Sequence, residues 1–266
     1  MNLVTSIQNV VDQIRINPTD STLRLFYIQY LCMDAQWDNA LKQVEKFQKL
    51  FGQDANHLLL FVIENIQSEL KRTEVLKAKM RPFSIVTKES DLMILQLHMS
   101  IISHEREKNF NAVVNTFEML ATKIQTPSNI EVVYANKEMK ISTEVTWIID
   151  GDIRTSFILE YFYNGEYYWI PFNNIQSIIF KPIKTLLDTI WRSATLSIKN
   201  FANIQVTIPS RYAVMDSCDW NDDLLSNRAT HWKHLVNENY SIGFGQKILF
   251  SESSDFNLLN INQINF

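Results

Sequence analysis

The hydrophobic period of this 266-residue chain changes once, near residue 126, and that switch constrains the fold more than any single motif does. Before it, apolar residues recur at helical spacing, and one Gly and two Pro are the only strong breakers. Leu3, Ile7, Val10, Val11 and Ile14 fit an i, i+3, i+4, i+7 stripe. Asn17-Pro18-Thr19-Asp20 ends that helix and supplies a cap for the next, which carries Leu23, Phe26, Tyr27, Tyr30 and Leu31. Trp37, Leu41, Val44 and Phe47 mark a third, closed by Phe51-Gly52-Gln53-Asp54. A long helix is expected from about Asn56 to Met80, then two more near Asp91–Glu105 and Ala112–Gln125. The turn Asp34-Ala35-Gln36-Trp37 is loosely echoed at Glu107-Lys108-Asn109-Phe110, each time with an apolar helix following. That repetition is the pattern of stacked tetratricopeptide-like hairpins, although an ordinary helical bundle shares it.

Beyond Thr126-Pro127-Ser128-Asn129, β-branched and aromatic residues alternate with polar ones, the period-2 signature of half-buried strands. Val145, Trp147 and Ile149 alternate in this way, and Phe157 to Phe172 reads as a hairpin turning at Asn164-Gly165. Further strands are expected at Ile175–Phe180, Thr195–Lys199, Ile204–Ile208 and Lys247–Phe250, with a short helix near Ile183–Ile190. The fold class is therefore α+β. A tetratricopeptide-like helical-hairpin domain over 1–126 and a linker over 127–140 precede a mainly β domain over 141–266. The polar tail from Ser251 to Phe266 is expected to be partly ordered at most.

Composition narrows the function by exclusion. A formal charge of −4 with dispersed basic residues gives no phosphate-binding stripe, so no nucleic-acid partner is expected. Two distant cysteines, Cys32 and Cys218, make no disulfide framework and suit a reducing compartment. The first 15 residues lack the basic and apolar regions of a signal peptide, and no apolar stretch is long enough to span a bilayer. A cytoplasmic protein without membrane insertion is expected.

Few residues suggest chemistry. Asp150-Gly151-Asp152 places two carboxylates two residues apart, which suits Mg²⁺ or Mn²⁺, but Arg154 follows and can take one of them bidentately. Positions 150, 152 and 154 share one face of a strand, so Asp150, Asp152 and Arg154 read as a structural ion-pair cluster. His231 and His234 with Asp216 and Cys218 are an incomplete zinc set. His57, His98 and His104 read as solvated or edge histidines. Gly243-Phe244-Gly245-Gln246 lacks the third glycine of a dinucleotide loop, and no nucleophile elbow or Walker loop occurs. No catalytic, metal or cofactor site is assigned. Tyr161, Tyr163, Tyr167, Tyr168 and Trp169 crowd one hairpin, where alternation sets Tyr168 on one side and the other four on the opposite side. Tyr167, Tyr168 and Trp169 are the candidates for partner contact.

A family resemblance runs along the chain. Leu23-Arg24-Leu25-Phe26, Gln36-Trp37 and Ala40-Leu41 carry it in the helical half. In the β half it rests on Trp147 to Arg154, Leu159-Glu160, Asn164 to Phe172, Pro182, Leu186, Asp188 and Trp191. Ile208-Pro209-Ser210-Arg211-Tyr212, Thr230, Trp232 and Gly243-Phe244-Gly245-Gln246 continue it. Ser156-Phe157 and Ala213-Val214-Met215 replace turns usual at those points. In this order the motifs resemble the ImpE-type (TagJ, SciE-type) accessory proteins of bacterial type VI secretion. The resemblance implies a non-catalytic cytoplasmic adaptor that binds the N-terminal helix of the small contractile-sheath subunit. Through it, the adaptor is connected to the AAA+ ATPase that disassembles the sheath. Two other readings stay open: a generic helical-repeat peptide-binding scaffold, and a metal-dependent enzyme using Asp150 and Asp152.

Overall fold

The computed structural model describes residues 2–52, 57–124, 129–136, 139–215 and 220–266. The expected turn at Gln53-Asp54, the Asn56 helix start and the Thr126-Pro127-Ser128 boundary lie outside them, as do Lys137 and Glu138.

Six helices come first: α1 (Leu3–Ile16), α2 (Ser21–Met33), α3 (Trp37–Phe51), α4 (His57–Leu76), α5 (Glu89–Arg106) and α6 (Phe110–Ala121). The side chains of Asn2, Asp20 and Asn109 accept hydrogen bonds from Thr5, Leu23 and Ala112 N–H, satisfying donors that the first turns of α1, α2 and α6 leave free. The echo between the two polar turns is structural. After α2, Ala35 sits at φ 55°, its N–H donates to Cys32 O, and Gln36 N–H donates to Leu31 O. After α5, Lys108 at φ 59° donates to Glu105 O, and Asn109 donates to His104 O. Both are Schellman closures, and both reverse the chain into a helix opening on an aromatic, Trp37 or Phe110.

The remaining elements are β1 (Ile130–Asn136), β2 (Met139–Val145), β3 (Ile149–Asp150), β4 (Ile158–Tyr163), β5 (Glu166–Pro171), β6 (Ile175–Phe180), β7 (Trp191–Ile198), β8 (Ile204–Pro209), the one-turn helix α7 (Asp222–Leu225), β9 (Thr230–His234), β10 (Ser241–Gly245), β11 (Ile248–Phe250), β12 (Asp255–Asn257) and β13 (Ile261–Asn265). An antiparallel eight-stranded sheet runs β2-β1-β13-β6-β7-β8-β4-β5, beside the smaller sheets β12-β11-β3 and β10-β9. The architecture is α+β, helices first and sheet second. Strand β1 occupies much of the segment expected as a linker. The short helix expected near Ile183–Ile190 is only a 3-10 turn over Leu187–Thr189.

The Asn164-Gly165 turn, with φ 50° and 73°, pairs Tyr163 with Glu166 and so Tyr161 with Tyr168. Directly paired residues share a face. Tyr161 therefore stacks on Tyr168, with ring centroids 5.1 Å apart, on the face away from Tyr167 and Trp169. That corrects the expected grouping of Tyr161 with Tyr167 and Trp169: the two-residue turn reverses the phase of the alternation.

The polar tail is also corrected. Strand β13 lies between β1 and β6, with Ile261 and Ile264 fully buried. Their spacing of three escapes a period-2 reading because the β1–β13 register shifts between Val133 and Tyr134. The buried Arg192 secures the entry to this strand, its Nη1 donating to the carbonyls of Leu258, Leu259 and Ile261.

The two halves share a core. One apolar cluster joins Ile66 and Val75 of α4 with Phe162, Tyr167, Trp169 and Trp191 of the sheet. A second fills the opposite face of the sheet, around Leu159, Ile170, Leu196 and Ile264. Trp191 lies where the halves meet, stacked on Trp37 at 5.7 Å.

Candidate functional site

Charged residues converge where α4 crosses β4 and β5. Along α4, Leu59, Val62, Ile66, Val75 and Leu76 keep the core-facing spacing, yet Glu69 and Arg72 occupy the same buried stripe. Arg72 reaches into the β half and grips Glu160 of β4 bidentately, with Nε to Oε1 at 2.9 Å and Nη2 to Oε2 at 3.0 Å. Its Nη1 donates to Glu69 at 3.3 Å and to the Arg211 carbonyl at 3.1 Å. Glu160 also accepts from the Tyr167 hydroxyl and pairs with Lys247. Lys247 pairs in turn with Asp150. Asp150 accepts from Tyr212 at 3.0 Å and from Thr155 at 3.2 Å. Trp169 Nε1 donates to the Tyr167 oxygen at 2.6 Å, and Trp191 Nε1 donates to Glu69 at 3.0 Å.

The loop after β3 is built by its own carboxylates. Asp150 Oδ1 accepts from Asp152 N–H at 3.0 Å, and Asp152 Oδ1 accepts from Arg154 N–H at 2.9 Å. These are two successive Asx turns. Asp152 then holds the Arg154 guanidinium bidentately, Nε at 2.9 Å and Nη2 at 2.6 Å, and accepts from Gly243 N–H at 3.1 Å. The strand stops at Asp150, so the two carboxylates point inward through these turns rather than by strand alternation, and Asp150 faces Lys247 instead of Arg154. Gly243 has no side chain for a reason: a Cβ there would overlap the Tyr212 ring.

Charge in this interior is balanced. Glu69, Asp150, Asp152 and Glu160 face Arg72, Arg154, Lys247 and Arg211, all of them buried. Burial works against the Glu160 carboxylate, but Arg72 and Lys247 outweigh it and hold its pKa well below the usual range. Asp150 is pushed up, chiefly by burial, with Lys247 opposing. Burial likewise opposes the Lys247 charge, and Asp150 with Glu160 overcome it and raise its pKa. Arg211, lowered to about 10 by burial, donates to the carbonyls of Met33 and Leu225 and so ties the end of α2 to the β half.

His98 contradicts its reading as a solvated residue. It is fully buried on α5, against Trp169 and Phe157, because the ring completes the core that α5 shares with β5. Its Nδ1 lies 3.0 Å from the Arg154 carbonyl, which can only accept, so the proton sits on Nδ1. Nε2 has no partner among the described residues, and burial lowers the pKa to about 4.

Tyr167 and Trp169 are buried inside the network, whereas Tyr168 is half-buried on the other face, 5.5 Å from the ring of the exposed Phe83. His231 and His234 are exposed, and His234 Nδ1 lies 2.7 Å from Ser241 Oγ. Asp216 and Cys218 lie outside the described residues; Cys32 is buried. No group of three or more potential metal ligands occurs among the described residues. Sequence reasoning missed Glu69, Arg72 and Lys247 as members of this cluster. A charge at a core position of α4, or beside a short apolar strand, is the signal that marks them.

Comparison with known proteins places this geometry. Residues 142–265, which hold most of the network, match the ImpE protein family. The type VI secretion system accessory component TagJ of Pseudomonas aeruginosa is 24% identical, over 98% of this chain and 86% of its own length. A crystallised protein from Vibrio parahaemolyticus has the same fold, with a TM-score of 0.84 over 99% of this chain and 93% of that one at 18% identity. The Asp150-Gly151-Asp152, Glu160, Arg211-Tyr212 and Gly243 strings, far apart in sequence, meet in one buried cluster, and all of them lie inside the region that is similar to the ImpE protein family.

Proposed function

We propose that this chain is a non-catalytic accessory protein of a type VI secretion apparatus. In this reading it is a cytoplasmic adaptor that holds the N-terminal helix of the small sheath subunit and connects it to the AAA+ ATPase that disassembles the sheath. The likeness to the Pseudomonas accessory component over nearly the whole chain carries this reading. The buried network supports the non-catalytic part of it. The carboxylates of Asp150 and Asp152 are engaged by Lys247, Tyr212, Thr155, Arg154 and backbone N–H groups, so a metal ion there must displace built partners. The matched Schellman turns after α2 and α5 support a tetratricopeptide-like stacking of the helical hairpins. Of the three hairpin aromatics expected at a partner surface, Tyr168 is the one with exposed area to offer.

The test is affinity capture of the tagged full-length chain from its native cells, with mass spectrometry of the bound proteins. Enrichment of sheath subunits is expected. Reproducible enrichment of an unrelated complex without them supports the generic scaffold instead.

A further inference from the structure

We propose that a groove between α5 and the segment 78–84 is a docking site for an amphipathic helix with an acidic flank. The groove has a volume of about 910 Å³ and is floored by Met80, Leu92, Leu95 and Met99. Leu92, Leu95 and Met99 fall at i, i+3 and i+7 of α5, the stripe by which one helix receives another. Leu92 is 40% exposed and Met99 is half-buried, while Leu95 is buried at the base of the groove, beside the stripe that buries Ile94, His98 and Ile101 against the sheet. The lining runs along α5 from Leu92 to Ser103, about 16 Å at the helical rise, so it fits about three turns of an incoming helix. Two thioethers in the floor can adjust to side chains of different shape.

The occupant's charge follows from the rim. Lys79 and Arg81 are the charged residues that line the groove, and no carboxylate lines it among the described residues. Arg81 is exposed and makes no ion pair among the described residues, while Lys79 keeps 67% of its side chain exposed with Glu74 4.0 Å away as a loose neighbour. On a chain of net charge −4, this rim selects carboxylates over cations. The wall is held firmly. Phe83, between the lining residues Pro82 and Ser84, donates its N–H to Tyr167 O and accepts from Trp169 N–H, both at 2.9 Å, which fixes the segment to the edge of β5. The same bridge sets Phe83 on Tyr168, so the groove and the half-buried tyrosine form one continuous surface. The inference gives the adaptor reading a surface, and rests on that reading only for the identity of the natural helix.

Two labelled peptides are titrated into the intact protein by fluorescence anisotropy. One is a designed helix of about fifteen residues, with Leu at i, i+3, i+4 and i+7 and Glu on one flank. The other is the N-terminal helix of the small sheath subunit. The designed helix should bind, and Lys79→Glu/Arg81→Glu should weaken it by at least about tenfold. A peptide with Lys in place of Glu should regain affinity for that double variant. Leu92→Glu, at the most exposed position of the floor, should abolish binding with little change in melting temperature. The docking site is overturned if the designed helix fails to bind, if it binds wild type and double variant alike, or if sedimentation shows a second copy of the chain occupying the groove. The sheath peptide reports separately. Its failure beside a binding designed helix counts against the adaptor role, and its binding with indifference to both variants moves that role to another surface.

Discussion

Helix α4 and the segment that follows it use the same side-chain chemistry in opposite ways. Inside, Glu69 and Arg72 are almost fully buried and pair with each other, and Arg72 also meets Glu160 across the junction with the sheet. A few residues further, Lys79 and Arg81 line an open groove that no carboxylate lines among the described residues. A closed set of buried charges gives little net stability over an apolar core of the same shape, but loss of one member leaves its partner charged and dry. Such a set fixes which strand lies under which helix. An open pair of cations leaves attraction available for something else. The interior charges are thus committed to one another, whereas the rim charges face outward into the groove.

The junction can be broken most completely by separating the halves. Fragments 1–128 and 129–266 part Arg72 from Glu160 and expose Trp191, so neither alone should melt cooperatively, and mixing them should restore a single transition. A sharp independent melt of the β fragment contradicts the role of the junction. Next in size, Arg72→Ala should cost on the order of 4 kcal/mol in chemical denaturation, with Arg154→Ala somewhat less at about 3 kcal/mol. The surface pair of Arg15 and Asp12, with side chains 70% and 51% exposed, is the control, and Arg15→Ala should change little. Gly243→Ala should cost about 2 to 3 kcal/mol by driving a methyl into the Tyr212 ring, which is held through its bond to Asp150.

The smallest effect sharpens the comparison through pH. His98 titrates near 4 in the folded chain, against an ordinary 6.5, because burial disfavours its charged form. Between those values the unfolded chain binds more protons, so stability falls as pH drops. The contribution is complete above 6.5 and lost on approaching 4. The loss from pH 7 to 5 should be roughly 2 kcal/mol. His98→Asn keeps a donor for the Arg154 carbonyl and should flatten that slope, and an unchanged slope points to another group.

Much of this was legible in the sequence, for physical reasons that differ by region. The helical stripes, the two echoing turns and the Asn164-Gly165 hairpin are local patterns, and each appears where spacing or turn chemistry put it. Asp152 and Arg154 are close in sequence, so their pairing was within reach. Asp150 with Lys247, and Arg72 with Glu160, are not: these contacts join distant residues, and only the topology brings them together. The C-terminal strand was hidden by its Asn and Gln content and by a register shift that spaces its buried isoleucines by three. His98 was misread because a lone histidine on an amphipathic helix does not reveal which stripe it belongs to.

The central claim, that this chain is an adaptor for a helix of the secretion sheath, is tested most directly by calorimetric titration. The intact protein is titrated at several temperatures with the N-terminal helix of the small sheath subunit. One-to-one binding with a negative heat-capacity change, from apolar burial, is the predicted result. No heat and no competition with a bound labelled peptide, at concentrations where the protein is folded, would contradict it.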